Sequence, residues 1–542
     1  MTAVSPPLDV PAPAGIATPA PVNKWLVTVS IAFGSLMASI DSSIVNVALP
    51  QIRSAVGATI EEITWVSTAY IIATVLVMPL TGFLGTFFGQ KRVYLASLVL
   101  FVVGSALCGV AHSLPALVVF RAIQGFGAGA LQPTQQAILR QTFPPKEQGM
   151  AMAMFAMVIM VGPAVGPTLG GYIVDHYSWQ WIFYINVPIG ALGTFMTWRY
   201  VIEPPDVLRA NRARAASQRK HLDIAGIVLM CIGVSTLQYV LEEGPREDWF
   251  DSPLITGLSA LAAVSLCAFI IRELTAVAPV VNLRLFRDKT FASGTAIGGV
   301  MFAMLMGSMF LLPVFMQELL GFDATRSGIT LLPRTLAMMV VTPLIGRLYN
   351  HVPPAIIVAI GGLFFSLGSY QLSHITLMSS SADIVVPLLI TGVGFACLFI
   401  PLTTAALTFI PRPALADAAG LNSFVRQIGG SFGLTIFATM LSNYGKRATA
   451  SVGWNVTALR PEVAARADAM AAGFRAHGMS ALDAKQTALR ALAGTVARQG
   501  TVLAFEKMFL LQGVIFLAVL PLLFFLRVGD GPKAEHIEMT ME

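Results

Sequence analysis

Charge is scarce in this chain. Of its 542 residues only 11% are Asp, Glu, Lys or Arg, 56% are hydrophobic, and the mean hydropathy is +0.74. A soluble domain carries about 25% charged residues, so a water-facing globular protein is excluded. Cysteine is nearly absent. Cys108, Cys231, Cys267 and Cys397 all lie in apolar stretches and form no Cys-x-x-Cys pair, which excludes a disulfide framework and a thiolate metal site. Also missing are a Gly-x-x-x-x-Gly-Lys-Ser/Thr phosphate loop, a His-Glu-x-x-His pair and a Gly-x-Ser-x-Gly elbow. No enzyme, metal or cofactor is expected, and any work the protein does would draw on an ion gradient. The net charge of +6 reports loop topology rather than nucleic-acid binding.

What the chain has in abundance is apolar runs of about 20 residues, long enough to cross a bilayer as helices. Fourteen are expected, the first at 25–48 and the last at 505–527. Residues 1–23 carry six prolines and no basic residue, which reads as a disordered tail and not as a cleaved signal. Basic residues gather in alternate loops, including Arg209, Arg212, Arg214, Arg219 and Lys220 in one of them, whereas the short loops on the other side hold Arg53, Arg246 and Arg326. By the positive-inside rule both termini are cytoplasmic. The long segment 442–504 then lies outside, and its Ala-rich stretch suggests helices above the membrane.

A repeat shows through the hydrophobicity. Pro79-Leu80-Thr81-Gly82-Phe83-Leu84 ends the second run and Pro343-Leu344-Ile345-Gly346-Arg347-Leu348 the tenth. Gly125, Gly127 and Pro144 are answered by Gly392, Gly394 and Pro411. The expected organisation is a tail 1–23, a six-helix half 24–200, a basic linker with two extra helices 201–275, a second six-helix half 276–527 that carries the outer loop 442–504, and a tail 528–542. Duplicated halves around a midplane site are the architecture of secondary transporters.

Several residues are costly in lipid and so need a purpose. Asp41 stands two-thirds of the way along the first run, where it suits proton coupling or cation binding; the alternative is a hydrated or paired carboxylate. Arg121 in the fourth run is a fixed charge before small residues that allow close helix contact; it either biases a carboxylate or merely ties helices together. Arg334 and Arg426, in the tenth and thirteenth runs, are expected to face a cavity or a carboxylate. Glu318, at the outer end of the ninth, is more often a solvated loop residue, and Asp417 is a weaker candidate still. Gly162-Pro163 and Gly166-Pro167, followed by Gly170 and Gly171, should bend one helix against a partner. Gly82, Gly85 and Gly89 with Lys91 and Arg92 form a tight, basic inner turn that is a candidate gating loop.

These stretches resemble the major facilitator superfamily, and within it the fourteen-span drug:proton antiporters of the EmrB/QacA type. Asp41 with Asn46 and Pro50 matches the first-helix motif, Arg121 to Gly129 the fourth-helix motif, and Gly162 to Gly171 the fifth-helix motif associated with antiport. Trp179 to Gly190 is similar to a signature at the sixth span. Leu222 to Gly226 and Gly244 to Phe250 resemble the flanks of the first extra helix. Two departures stand out: Thr86 and Phe87 occupy positions that are commonly Asp and Arg, and Gln180 replaces an Arg between two tryptophans.

The resemblance implies an all-α polytopic membrane protein with the major facilitator fold, two six-helix halves plus two extra central helices. It implies a proton-driven multidrug exporter of amphipathic or hydrophobic compounds in a bacterial inner membrane. Similarity to the EmrB-like branch, including Val496 to Gly500 and Phe505 to Phe509, implies a periplasmic adaptor and an outer-membrane channel as partners. The competing expectations are a dedicated exporter of one metabolite, fatty acid or siderophore, and a non-transporting scaffold or sensor.

Overall fold

The computed structural model describes residues 23–525 except 145–146, 220–222, 277, 350 and 458. The tails expected at both ends (1–22 and 526–542) and Lys220 lie outside the described residues, as do the side chains of Pro163, Pro167 and Arg219.

Every regular element among the described residues is helical. In the first half α1 (Lys24–Val56) and a short turn α2 (Ile60–Ile63) lead into α3 (Trp65–Val77). A 3-10 turn, Met78–Leu80, joins α3 to α4 (Thr81–Phe88), placed where Pro79 cannot donate a backbone hydrogen bond. Next come α5 (Gln90–Gly109), α6 (Leu114–Thr142), α7 (Gln148–His176), the turn α8 (Trp181–Tyr184) and α9 (Asn186–Tyr200). The connection holds a polar helix α10 (Pro205–Arg219) and the extra pair α11 (Ile224–Glu243) and α12 (Pro253–Thr275). The second half comprises α13 (Lys289–Val314), α14 (Ala324–Leu348), α15 (Pro354–Leu372), α16 (Ser381–Ala406), α17 (Leu415–Trp454), α18 (Pro461–Ala476) and α19 (Ala481–Val519).

The helices start where a short polar side chain can satisfy their first amides. Asn23 accepts from the Trp25 amide, Asp223 from Gly226, Asp288 from Phe291 and Asp323 from Arg326. Ser380 with Asp383 forms a reciprocal capping box on α16. Eleven of the described helical stretches are long and apolar enough to cross a membrane. Helices α7, α9 and α17 occupy the other three expected places without meeting that test.

The repeat in the sequence has a packing cause. A Cβ on Gly125 would lie 2.5 Å from the Tyr70 carbonyl oxygen, and one on Gly392 would lie 2.5 Å from that of Arg334. A Cβ on Gly127 would meet the Phe101 nitrogen at 2.5 Å, and one on Gly394 the Phe365 nitrogen at 2.6 Å. Thus α6 sits between α3 and α5 as α16 sits between α14 and α15, and each contact demands a missing side chain.

The extra pair lies against α3 and α17. Trp65 and Tyr239 rings stand 5.5 Å apart, Gln238 donates to Ser431 at 2.9 Å, and Trp249 donates to Thr439 at 3.0 Å. The Arg272 guanidinium pairs with Asp223 at 2.7 Å and closes one end of the hairpin. Helices α17 and α19 run on past the rest of the bundle, with α18 seated on α19 through buried Ala471, Ala484 and Ala488.

Candidate functional site

Asp41 is wholly buried within α1. Its Oδ2 accepts from Arg121 Nη1 at 2.7 Å, and its Oδ1 accepts from Gln124 Nε2 at 2.8 Å and from Asn186 Nδ2 at 3.1 Å. Arg121 and Gln124 are one turn apart on α6, so one helix face presents both donors. Arg121 also donates to the Gln124 side-chain oxygen (2.7 Å) and the Val66 carbonyl (3.2 Å), and lies over the Tyr70 ring at 4.1 Å. Asn186 also donates to Ser105, whose hydroxyl donates to the Phe183 carbonyl. The result is a closed polar knot drawn from α1, α5, α6 and α9. It can hold a carboxylate as an anion, or release the guanidinium if that carboxylate takes a proton.

The Gly-Pro helix forms the seam beside this knot. Ser43 donates to the Gly162 carbonyl at 2.9 Å and Ser39 to that of Ile159 at 2.5 Å. A Cβ on Gly162 would strike Ser39, one on Gly166 would strike Ser43, and one on Gly170 would lie 3.3 Å from the Ile44 carbonyl oxygen. Gly171 faces open space. Three of the four glycines therefore admit α1 to α7 around Asp41.

The gating-loop residues meet the other half at the end of the bundle that carries the basic loops. A Cβ on Gly82 would fall 2.5 Å from the Asp417 Cα. Asp417 is paired at 2.9 Å with Arg214 on α10, and Arg214 also donates to the Pro413 carbonyl. On the same helix Asn211 donates to the Gly85 carbonyl at 3.4 Å. Gly89 turns with φ +85°, which favours glycine. Beside it Glu203 accepts from the Lys91 amide at 2.9 Å, at the start of α5. Lys91 Nζ donates to the Trp198 carbonyl, and Arg92 is exposed. Thr86 donates only within its own helix. The loop has no carboxylate of its own at Thr86, and the acidic groups beside it, Asp417 and Glu203, come from distant parts of the chain.

The same end is closed a second time. A Cβ on Gly149 of α7 would lie 2.7 Å from the Gly346 carbonyl oxygen of α14, and Arg140 of α6 donates to the Thr404 carbonyl of α16 at 2.9 Å.

Arg334 and Arg426 are both buried, and neither meets a carboxylate among the described residues. Arg334 donates to Ser308 at 2.8 Å; Arg426 donates to Thr403 at 3.3 Å and stands between the Phe302 and Phe399 rings. Glu318 is exposed in a wide helical turn, Phe315–Leu319. Gln124, Asn186, Glu203 and Arg140 had no assigned role from sequence. Asn186 lies within the Trp179–Gly190 signature, and Gln124 follows Arg121 by one turn, so these two carried a readable signal.

Paired helical halves, the first of them holding a buried charge knot, define a multi-pass membrane transporter. The Major Facilitator Superfamily model matches residues 31–434, and the chain belongs to that family. It is 33% identical over 518 residues to the multidrug export protein EmrB of Escherichia coli (strain K12), covering 94% of this chain and 98% of that one. EmrB of Haemophilus influenzae is 34% identical, covering 94% and 96%. The fatty acid resistance protein FarB of Neisseria gonorrhoeae is 32% identical, covering 92% and 94%. The fold is that of the human transporter MFSD10, at a TM-score of 0.59 and 12% identity over 92% of this chain and 99% of that one.

Proposed function

We propose that this protein is a multidrug exporter of an inner bacterial membrane, driven by proton antiport and exporting amphipathic or hydrophobic compounds. The observation that carries the coupling is Asp41: a fully buried carboxylate whose two oxygens receive three side-chain donors from α6 and α9. Protonation would cancel its attraction for Arg121 and loosen α1 from α6, and loss of the proton would restore both. Such a two-state element is what alternating access requires. The export reading is supported by relatives named as multidrug export proteins at 33–34% identity over nearly the whole chain. The FarB relative favours a second reading, a dedicated fatty acid carrier on the same scaffold.

In this reading the basic end is cytoplasmic, both termini face the cytoplasm, fourteen spans cross the bilayer, and the structure stands closed toward the cytoplasm. The projecting α17–α18–α19 unit is then periplasmic. Its exposed Trp454, Leu459 and Leu482 suit contact with an adaptor protein that leads to an outer-membrane channel.

The test is proton-gradient-driven movement of a fluorescent cation and a fluorescent neutral compound in proteoliposomes, comparing wild type with Asp41→Asn. Uphill movement by wild type alone supports the antiporter. A variant as active as wild type would remove Asp41 from coupling. A wild type that moves neither compound would turn the reading to the narrow carrier.

A further inference from the structure

The buried cations of the bundle are of two kinds, with and without a counter-charge. In the first half Arg121 is neutralised by Asp41. In the second, the position that packs on Gly392 as Tyr70 packs on Gly125 is Arg334, so the matching site holds a cation where the first half holds a ring beside one. Counting α6, three guanidiniums are at least 95% buried and have no carboxylate partner among the described residues: Arg140, Arg334 and Arg426. Each also keeps one buried nitrogen without an acceptor, Nε of Arg140, Nη2 of Arg334 and Nε of Arg426. An uncompensated buried charge costs several kcal/mol, and a lipid-facing origin is excluded by burial inside the bundle.

Two of the three converge. Arg426 donates to Thr403 and Arg140 to the carbonyl of the next residue, Thr404, from the opposite half. Asn422 lies one turn before Arg426 on α17, and both side chains meet the same glycine, Gly298. The Asn422 amide nitrogen and the hydroxyls of Ser423 and Thr404 are buried with no partner. Arg426, Arg140 and Asn422 thus bring two guanidinium N–H groups and an amide N–H to this level, with the Ser423 and Thr404 hydroxyls next to them in sequence. The Phe302 and Phe399 rings, 4.5 and 4.6 Å from the Arg426 guanidinium carbon, supply an apolar wall. Arg334 stands further along α16, beside Gly392. That level is eleven residues from Thr403, about 16 Å at the helical rise.

We propose that Arg426, Arg140, Asn422 and Ser423 form a binding site between the halves for the anionic head of an amphipathic organic acid, with Arg334 a second anchor toward the opposite end. This deepens the exporter reading and rests on it for direction. Opening the cytoplasmic end parts Arg140 from Thr404 and uncovers Arg426 on the side where an exporter loads. A carboxylate there satisfies guanidinium donors that otherwise stay unmet, by charge-assisted bonds. Its alkyl or aryl body has Phe302 and Phe399 beside it. A cation at the same place meets two like charges and is rejected. The Asp41 knot, whose cation already has its carboxylate, is left to the proton.

The test uses the full-length protein in nanodiscs of uncharged phosphatidylcholine and three probes of one chain length: decanoate, decanol and decyltrimethylammonium. Binding is measured at neutral pH without a gradient. Wild type should bind decanoate tighter than decanol by about tenfold or more, and decyltrimethylammonium should bind weakest. Arg426→Gln should remove the preference for decanoate while leaving decanol unchanged, and Arg426→Lys should restore part of it. Because the readout is a ratio between probes on one sample, partial misfolding cancels. Equal binding of decanoate and decanol by wild type overturns the proposal, as does an Arg426→Gln variant that keeps the preference. Gradient-driven transport of a fluorescent cation and of decanoate separates the two readings. A cation that moves while decanoate shows no preference sinks the anion site alone. A decanoate preference in a protein that moves nothing under the gradient sinks proton-driven export and leaves the site.

Discussion

Gly82 has no room for a side chain, because a Cβ there would lie 2.5 Å from the Cα of Asp417 in the other half. Its repeat partner Gly346 touches Gly149 in the same way, with a Cβ 3.0 Å from the Gly149 carbonyl oxygen. The twin Pro-Leu-x-Gly-x-Leu runs are therefore two of the places where the halves close on each other. Gly82→Val should wedge this end apart, since backbone cannot yield as a flexible side chain can. The expected result is faster maleimide labelling of a cysteine placed at Thr81, with the protein still monodisperse. Unchanged labelling would show that closure does not depend on this contact.

Arg214 clasps Asp417 from the connecting helix, with Arg214 one-third exposed. A pair so placed is worth about 1 kcal/mol, or roughly fivefold in a two-state population. Arg214→Ala should shift spin-label distances between Phe88 and Leu348, both exposed at this end, toward longer values. Identical distributions in variant and wild type would make α10 a passive linker.

Asp41→Asn leaves Arg121 buried without its counter-charge. Removing one member of such a pair costs about 3–5 kcal/mol, which should appear as a lower thermal midpoint in detergent. The double variant Asp41→Asn with Arg121→Gln should recover much of that midpoint while proton-driven transport stays lost. Recovery of both would assign the pair a structural role only.

Gly127→Ala and Gly394→Ala should each destabilise by about 1–3 kcal/mol, because each added methyl meets backbone nitrogen at 2.5 and 2.6 Å, in α5 and α15 respectively. Similar losses in thermal unfolding are expected from the two. A neutral change in one alone would mean that the halves pack differently there.

Much of the site was legible in sequence because an ionisable residue in an apolar run is expensive wherever it lies. Asp41, Arg121, Arg334 and Arg426 announce themselves by that cost alone, and the glycine runs do so by the close contacts they permit. Glu203 and Asn211 gave no such signal. They sit outside apolar runs, where polar residues are ordinary, and their roles arise from Lys91 and Gly85, more than a hundred residues away. Gln124 was hidden by its neutrality, although its distance from Arg121 places it on the same helix face.

Sequence alone determined that this chain lies in a membrane, that it is built from a doubled unit, and which side chains are costly there. Each follows from composition, periodicity and local spacing. Only the tertiary structure decided who partners whom: Asp41 with Arg121, Gln124 and Asn186, Asp417 with Arg214, and Arg426 with no carboxylate among the described residues. A partner depends on which helix faces meet across 80 to 200 residues of chain. The cost of burying a charge is local, whereas its compensation is a property of the packed bundle.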